Sequence, residues 1–426
     1  MMRILFSIKA VITAASMAIC LLPTGVLAQT PDSVRLNELE RRIEALTSEL
    51  ERTRLGDEVV EADSSLMGLG PAASKVYKVR QGVSVGGYGE ILYENYAADR
   101  EDGTLSGSVD KTDALRAIIY VGYKFNDKLL INSEIEIEHA KEAYLEFAYL
   151  DYRFSDAIGL RAGLLLSPMG LVNELHEPPI FLGTKRPYTE NQIIPTTWRE
   201  NGVGVFGGTE SIAYRAYLMT SFNGSGGFSA KGLRGGRQKG GKALSQDFGV
   251  VGRVDYVGVP GLLVGVSAFS GETAQDKTIN GRQVGGRTLI WEVHGDYQSS
   301  GVRLSLLIAG ARVDDAAQLN ELRSLTGSKG IGEEMGGWYA QASYDLLRNT
   351  GSEHQLRPYV RYERLNTQRK VPSGFTSDPA MDKSILSLGM AWKPVPQVVF
   401  KADYNGHSNK AGKGVNQLNV ALGYLF

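Results

Sequence analysis

The sequence has almost no cysteine, no long apolar segment after its first residues and no excess of positive charge. One cysteine, Cys20, occurs among 426 residues, which excludes a disulfide framework. After residue 28 there is no run of about 18 apolar residues, so no helix is expected to cross a membrane. The 46 basic and 47 acidic residues nearly balance, whereas a nucleic-acid-binding protein normally has a basic excess. No nucleic-acid partner is therefore expected.

The first 28 residues have the pattern of a secretory signal peptide. Arg3 and Lys9 provide a basic start, residues 10–22 are apolar, and small residues precede Gln29. This order of basic, apolar and small residues is typical of a cleaved signal. We predict that residues 1–28 are removed together with Cys20, which leaves a mature chain without thiol chemistry.

Residues 29–80 are predicted to be a coiled coil followed by a linker, in the periplasm. Apolar residues recur at alternating spacings of three and four, which indicates a coiled-coil seam; they are Leu36, Leu39, Ile43, Leu46 and Leu50. An amphipathic helix packed on its own domain is the alternative for this part. Residues 56–80 are small, polar and interrupted by Pro and Gly, which is typical of a linker.

Residues 81–426 alternate between apolar and polar side chains. In "INSEIEIEH", Ile135 and Ile137 fall on one face and Glu134 and Glu136 on the other, which indicates a strand with one polar face. The same pattern predicts sixteen strands, an even number as bacterial barrels require. The predicted ranges are 82–96, 111–125, 128–139, 142–154, 158–168, 200–209, 211–222, 247–258, 261–273, 286–298, 302–312, 335–347, 355–366, 382–393, 396–405 and 415–426.

The connections between these strands alternate in length. Those after even-numbered strands are mostly tight turns, and those after odd-numbered strands are mostly long. Such parity is expected of a barrel whose short turns lie in the periplasm, whereas a secreted soluble β-rich protein has no reason to keep it. We therefore predict an all-β fold, a 16-stranded antiparallel transmembrane β-barrel at residues 81–426 with a short N-terminal helical coiled coil.

The end of the sequence and its aromatic residues agree with this prediction. The final segment "LNVALGYLF" alternates up to Phe426, and a barrel needs its last strand to pair with its first. Aromatic residues expected on the outer face form interfacial belts in membrane proteins; they are Tyr123, Phe125, Tyr256, Trp338, Tyr344, Trp392, Phe400, Tyr404, Tyr424 and Phe426.

The stretch 147–208 contains the segments "AYLDYRF", "LRAG" followed by "PMG", "NELHEPP" and "IIPTTWRENGVGVFG". In these segments the chain resembles the phosphate-selective porin family, the O and P type porins. The resemblance implies a sixteen-stranded trimeric barrel that passes small anions. The predicted barrel nevertheless carries 36 basic and 37 acidic residues.

Two groups of cations are candidates for the pore. The loop 223–246 holds Lys231, Arg234, Arg237, Lys239 and Lys242 without any acid. If it enters the lumen it forms a cationic constriction, which sets ion preference; the alternative is a solvated loop that binds lipopolysaccharide phosphates. The strand arginines predicted to face the lumen are Arg116, Arg161, Arg215, Arg253, Arg303, Arg357 and Arg361.

The loop 169–199 is long enough to expect a function. Its constriction candidates are Glu174, His176, Glu177, Arg186, Trp198 and Arg199. We predict that the loop folds inward and narrows the pore. The carboxylates beside His176 suggest a metal site, but ion-paired packing is the favoured reading, and no metal is expected.

The predicted function is an outer-membrane porin for passive diffusion of small hydrophilic solutes or ions, either general or weakly anion-preferring of the phosphate type. The expected partners are these solutes, outer-membrane lipid and lipopolysaccharide, and two further copies in a homotrimer, in a Gram-negative-type cell. The alternative is a structural barrel or adhesin, tethered to the cell wall by the coiled coil. An enzyme is a third hypothesis, since Glu292, His294 and Asp296 share a strand face, but no nucleophile, base and orienting group come together. We predict no enzyme and no cofactor.

Overall fold

The computed structural model describes residues 39, 41–43 and 65–426. Within residues 65–426, sixteen strands form one closed barrel, and each strand is antiparallel to both of its neighbours. The predicted 16-stranded antiparallel barrel is thereby confirmed. The barrel closes where the first strand pairs with the last, with Tyr88 opposite Leu425.

The strands agree with the predicted ranges to within a few residues. The structure adds a two-stranded hairpin, β10 and β11, in the loop between β9 and β12. The bounds are β1 Gly82–Tyr96, β2 Lys111–Lys124, β3 Leu129–Glu138, β4 Glu142–Arg153, β5 Gly159–Leu166, β6 Arg199–Gly208, β7 Ile212–Thr220, β8 Phe248–Val259, β9 Leu262–Gly271, β10 Thr278–Ile279, β11 Arg282–Gln283, β12 Thr288–Ser299, β13 Val302–Val313, β14 Glu334–Tyr344, β15 Gln355–Lys370, β16 Asp382–Val395, β17 Val398–Asn409 and β18 Gln417–Leu425.

Helices occupy few of the described residues. Four α-helices lie in residues 65–426: α1 Lys75–Lys78, α2 Tyr188–Gln192, α3 Gly224–Gly227 and α4 Ala316–Leu322. Three 3₁₀ helices span Arg234–Gly236, Gly327–Lys329 and Pro379–Met381. In the part of the chain that the structure describes, none of the helices has the length and apolar character needed to span a membrane.

The period of two places apolar residues outside and polar residues inside. On β8, Val254 and Tyr256 are exposed while Arg253 and Asp255 are buried, because successive side chains of a strand point to opposite faces. All ten aromatic residues predicted to face outward are exposed. The outer surface is therefore apolar, as a lipid-facing barrel requires.

The two rims of the barrel differ in the length of their connections. At the short-turn rim, β12 and β13 are joined by Ser300 and Gly301, whose φ angles are 50° and 82°; two residues with positive φ suit a tight hairpin turn. The opposite, long-loop rim carries the loops 97–110, 167–198, 221–247, 272–287 and 314–333. Exceptions are the short link at 139–141 and the longer turn at 345–354.

A β-bulge interrupts the pairing of β3 and β4. Glu134 is opposite Phe147 and Ile135 is opposite Leu145, so Glu146 has no partner in the ladder. A bulge of this kind turns an extra side chain out of the regular alternation. Glu146 and Phe147 are consequently both buried in the lumen.

Residues 65–80 differ from the predicted linker. The part from Leu69 to Tyr77 is buried inside the barrel at the short-turn rim, where Val76 packs at Gly122 of β2. We call residues 65–80 the plug segment. Its small and apolar residues fit between the wall strands. Composition alone did not distinguish such a packed segment from a flexible linker. Leu39 and residues 41–43 are helical; the rest of the predicted coiled coil, and the predicted signal peptide, lie outside the described residues.

Candidate pore constriction

The loop 167–198, here called the inward loop, crosses the lumen and is attached to its wall on several sides. His176 Nε2 lies 3.2 Å from Glu134 Oε1 on β3. Thr184 donates from its backbone N–H to Asp403 Oδ2 on β17 at 2.6 Å. On a third side, the Tyr339 hydroxyl of β14 donates to Glu190 Oε1 at 2.7 Å. The loop is thus held across the whole width of the barrel.

Five of the six constriction candidates lie in this loop and the sixth, Arg199, begins β6, and they have different roles. Glu174 pairs with Arg215 at 3.0 Å, and Arg199 pairs with Glu146 at 2.6 Å. Trp198 is fully buried. His176 and Glu177 anchor the loop to the wall and to the plug segment. Arg186 forms no ion pair within the described residues, and its Nη2 atom is buried without a hydrogen-bond acceptor.

The plug segment is bound to both the inward loop and the wall. The carboxylate of Glu177 accepts hydrogen bonds from the backbone N–H groups of Ala72 at 3.2 Å and Ala73 at 3.0 Å. At the other end of the segment, the Tyr77 hydroxyl donates to Asp151 Oδ2 at 2.6 Å and accepts from Arg161 Nη2 at 2.7 Å. The short-turn end of the lumen is therefore partly filled by the chain that leads into β1.

The loop 221–247, here called the basic loop, also folds inward. Phe222 and Phe228 are fully buried, and Phe222 stacks on Trp198 with ring centroids 4.4 Å apart. Leu233 donates its backbone N–H to the Gln192 carbonyl at 3.2 Å. This aromatic cluster joins the two loops at the long-loop end, so the basic loop is not a fully solvated surface loop.

The five cations of the basic loop divide into two groups. Lys231, Lys239 and Lys242 are exposed, while Arg234 and Arg237 are half-buried. Arg237 donates to the carbonyl of Thr197 and not to a carboxylate. Burial and the neighbouring Arg237 and Arg186 lower the pKa of Arg234 to about 9, which leaves its guanidinium charged at neutral pH.

Most of the predicted strand arginines are neutralised by carboxylates. The ion pairs are Arg116 with Glu90 at 3.3 Å, Arg161 with Asp151 at 2.8 Å, Arg215 with Asp255 at 3.0 Å, Arg253 with Asp255 at 2.8 Å, Arg303 with Asp296 at 3.1 Å and Arg361 with Glu363 at 3.0 Å. Arg357 donates to the carbonyl of Gly301 at 3.2 Å. These paired arginines brace the wall, and a guanidinium already matched by a carboxylate attracts a passing anion weakly.

The unpaired cations of the inward loop and the basic loop lie near one carboxylate. Arg186, Arg234 and Arg237, here called the constriction cations, all act electrostatically on Glu146. Glu146 is already paired with Arg199. Four arginines therefore lie around a carboxylate that the β-bulge turns inward, and Glu138 and Glu200 are further acids near Arg234 and Arg237.

Two carboxylic acids of the inward loop are shifted by burial. Burial raises the pKa of Glu177 to about 7, against the opposing effect of the Ala73 and Ala72 N–H groups. Burial likewise raises the pKa of Glu190 to about 7, against the hydrogen bonds from Tyr339 and Val172. Both groups lie where the loop is attached to other parts of the chain, so protonation there bears on how the loop is held.

His294 sits in a buried ladder of charged groups. Its Nδ1 lies 2.8 Å from Glu292 Oε2 and its Nε2 lies 2.9 Å from Asp255 Oδ1. Arg253 lies 3.0 Å from the same Nε2. No hydroxyl or thiol nucleophile is hydrogen-bonded to this imidazole in the described part of the chain, so the arrangement is that of a wall ion-pair ladder.

Sequence reasoning missed one further cation. Lys393, near the end of β16, lines the cavity at the short-turn end of the lumen. The alternation of side chains along β16 could have identified it. Trp392 points outward, so the next residue, Lys393, must point into the lumen. The plug segment was also missed, and its apolar Leu69, Ala72, Ala73 and Val76 were the only sign of burial.

The chain has a relative in Aquifex aeolicus (strain VF5). No family model matches the chain. A protein of Aquifex aeolicus (strain VF5), described as uncharacterized, is 40% identical over 391 residues, which span 88% of this chain and 87% of that protein. The chain belongs to the same family as this Aquifex protein. The resemblance to the phosphate-selective porins stays a prediction.

Solved structures share the fold at low sequence identity. A loop-deletion mutant of OmpT, an outer membrane protein of Vibrio cholerae, is 10% identical with a TM-score of 0.54 and covers 82% of this chain and 100% of its own. OmpF of Salmonella typhi in complex with daunomycin is 13% identical with a TM-score of 0.54, covering 82% and 98%. The outer membrane channel DcaP of Acinetobacter baumannii is 12% identical with a TM-score of 0.51, covering 81% and 97%. The fold is thus the porin-like barrel.

Proposed function

We propose that this protein is an outer-membrane porin through which small hydrophilic solutes diffuse passively, with a preference for anions. The apolar outer face and the polar lumen suit a barrel that crosses the outer membrane. The inward loop and the basic loop narrow the lumen, so that permeating solutes pass close to their side chains. We place the short-turn rim, and with it the predicted coiled coil, in the periplasm.

The observation that carries the anion preference is the imbalance of unpaired charge. Most buried carboxylates of the lumen accept bonds from cations, hydroxyls or backbone N–H groups, whereas Arg186 and Arg234 face no carboxylate within ion-pairing distance in the described residues. Low-dielectric walls focus the field of such charges into a narrow passage. An anion then gains attraction as it loses part of its hydration, while a cation is repelled.

A bilayer experiment tests this proposal directly. The purified full-length protein is inserted into planar bilayers, and the reversal potential is measured under a KCl gradient. We expect discrete single-channel currents and a reversal potential displaced toward the equilibrium potential of chloride. A reversal potential on the potassium side contradicts the anion preference, and a barrel that inserts without any conductance contradicts the porin.

We also propose that the protein is a homotrimer. One OmpT structure of Vibrio cholerae is described as a trimer form and has a TM-score of 0.51 with this chain at 11% identity. Mass measurement of the detergent-extracted protein tests the proposal, since a monomeric mass contradicts it.

A further inference from the structure

A cavity of about 300 Å³ lies at the short-turn end of the lumen, between the plug segment, the inward loop and the wall. We call it the vestibule pocket. Its polar wall is formed by Gln298, Arg303, Gln355, Arg357 and Lys393, and its floor by residues 179–182 of the inward loop. The volume is at the lower end of the range for small-molecule sites.

The pairing of the strands brings these polar groups together. Gln298 on β12 is directly opposite Arg303 on β13, and Gln355 on β15 is directly opposite Lys393 on β16. Opposite residues of an antiparallel pair have neighbouring Cβ atoms. Each amide therefore lies beside a cation, and each can donate N–H groups to the same ligand.

The cations of the pocket retain unused donors. Arg303 donates to Asp296 at 3.1 Å and to the Ile180 carbonyl at 2.7 Å, and Arg357 donates to the Gly301 carbonyl at 3.2 Å. A guanidinium has five N–H donors and an ammonium three, so both arginines keep donors free for a ligand. The Lys393 ammonium has neither an ion pair nor a hydrogen bond within the described residues.

The nearby carboxylates compensate this charge only in part, since Asp345 acts on Arg357 without an ion pair to it in the described residues. Asp296 is matched by Arg303. Asp345 accepts hydrogen bonds from the backbone N–H groups of Leu347 at 3.2 Å and Leu356 at 3.1 Å. No carboxylate lines the pocket itself among the described residues, so the charges of Arg357 and Lys393 are left for a ligand.

The floor of the pocket has a different character. Ile180, Phe181 and Leu182 line it together with Val399 of β17. These side chains offer an apolar surface across from the cations, which favours a ligand with an apolar body and a charged head. Inorganic phosphate has no apolar part and leaves this surface uncovered.

We propose that the vestibule pocket binds small organic carboxylates, with the carboxylate on Lys393 and Arg357 and the apolar body against Phe181 and Leu182. The inference rests on the proposed function, because it makes the pocket a resting place for permeating anions on the periplasmic side. It names a substrate class, organic carboxylates, that the constriction cations alone do not select.

Binding is tested by calorimetric titration of the full-length protein in detergent micelles with sodium benzoate. Inorganic phosphate and benzyl alcohol, which carry only the charge or only the apolar ring, are the comparison ligands. We expect benzoate to bind at least about tenfold more tightly than either, a difference of about 1.4 kcal/mol. Phosphate binding as tight as that of benzoate overturns the assignment to organic carboxylates.

Variants then locate the site. Lys393→Gln is expected to weaken benzoate binding about tenfold, while Lys393→Arg retains most of it and the exposed Lys413→Gln at the opposite rim leaves it unchanged. Arg357→Gln serves the same purpose if Lys393→Gln does not fold. Unchanged affinity in a folded Lys393→Gln or Arg357→Gln protein overturns the site.

Conductance is recorded on the same preparations, so that the two proposals can fail separately. Benzoate binding without any conductance contradicts the porin and supports the site. Chloride-selective conductance without benzoate binding contradicts the site and leaves the porin standing.

Discussion

Glu177 Oε1 accepts a hydrogen bond from the Ala73 backbone N–H at 3.0 Å, across 104 residues of sequence. This contact joins the inward loop to the plug segment, and both partners are buried. The hydrogen bonding of the plug segment to the inward loop therefore depends on one carboxylate, while Tyr77 binds the segment to the wall. That dependence can be measured in several ways.

Removing this acceptor should loosen the plug segment. Glu177→Ala leaves two buried N–H groups without an acceptor, which costs about 1–3 kcal/mol for each, so we expect faster hydrogen exchange at Ala72 and Ala73 and a larger single-channel conductance. Glu177→Gln keeps one acceptor and should have a smaller effect. The exposed Glu353→Ala at the same rim is the control, and equal exchange rates in Glu177→Ala and Glu353→Ala would argue against the contact.

The attachment of the plug segment should also weaken as the pH rises. Burial raises the pKa of Glu177 to about 7, above the ordinary value, so the attached state binds more protons than the detached state between the two values. Its stability is then greatest at low pH and falls as pH increases toward 7. Protection factors of the Ala72 and Ala73 amides, measured between pH 5 and 8, should decrease accordingly.

His176 acts electrostatically on Glu177 and also titrates, so the pH experiment needs a matched variant. Burial lowers the pKa of His176, but the charge of Glu134 and its hydrogen bond to the imidazole raise this pKa in net. Glu177→Gln removes only the carboxyl under test and should flatten the profile. A profile that keeps its slope in Glu177→Gln assigns the effect to another group.

Neutralising a constriction cation should reduce anion preference. One unit charge at about 6 Å in water attracts an anion and repels a cation by about 0.7 kcal/mol each, so the chloride-to-potassium permeability ratio changes by about tenfold. We expect Arg186→Gln to lower the chloride-to-potassium permeability ratio by about this factor. Arg312→Gln, which removes an exposed cation paired with Asp314, should leave the ratio unchanged, and equal ratios in both variants would exclude Arg186 from the passage.

Removing the aromatic centre between the two loops should destabilise both. Trp198 is fully buried and contacts Phe222 and Phe269, and truncation of a buried aromatic residue typically costs about 3–5 kcal/mol. We expect Trp198→Ala to lower the thermal unfolding temperature and to increase current fluctuations. Trp291→Ala, on the outer face, is the comparison, and a quiet channel in Trp198→Ala would show that the loops hold without this contact.

The wall of the barrel follows from the sequence because strand alternation is a local property. Each of the sixteen predicted strands overlaps an observed one, and residues such as Val254 and Asp255 lie on the expected faces. Pairing of neighbours along the chain needs no long-range information. The final pairing of β1 with β18 follows from the requirement that no edge stays open.

The interior depends on long-range contacts that no local pattern records. In the sequence Ala72 and Ala73 have the character of linker residues, and only the structure shows that both donate to Glu177. Arg186 and Arg361 are likewise equivalent in the sequence, and only the structure shows that Arg361 is paired with a carboxylate. The sequence predicts which charged residues face the lumen, but it does not predict which of them form ion pairs with each other. Which charges are paired depends on how the inward loop, the basic loop and the plug segment pack together inside the barrel.

The plug segment runs directly into β1, the strand whose far edge meets β18, and Gly86 of β1 lies close to the Ala72 carbonyl. The space that receives residues 69–77 is bounded by strands from both ends of the chain, so it does not exist until the seam has formed. We therefore expect this segment to insert among the last steps of assembly, after a stage in which the short-turn end of the barrel is wider than in the finished protein.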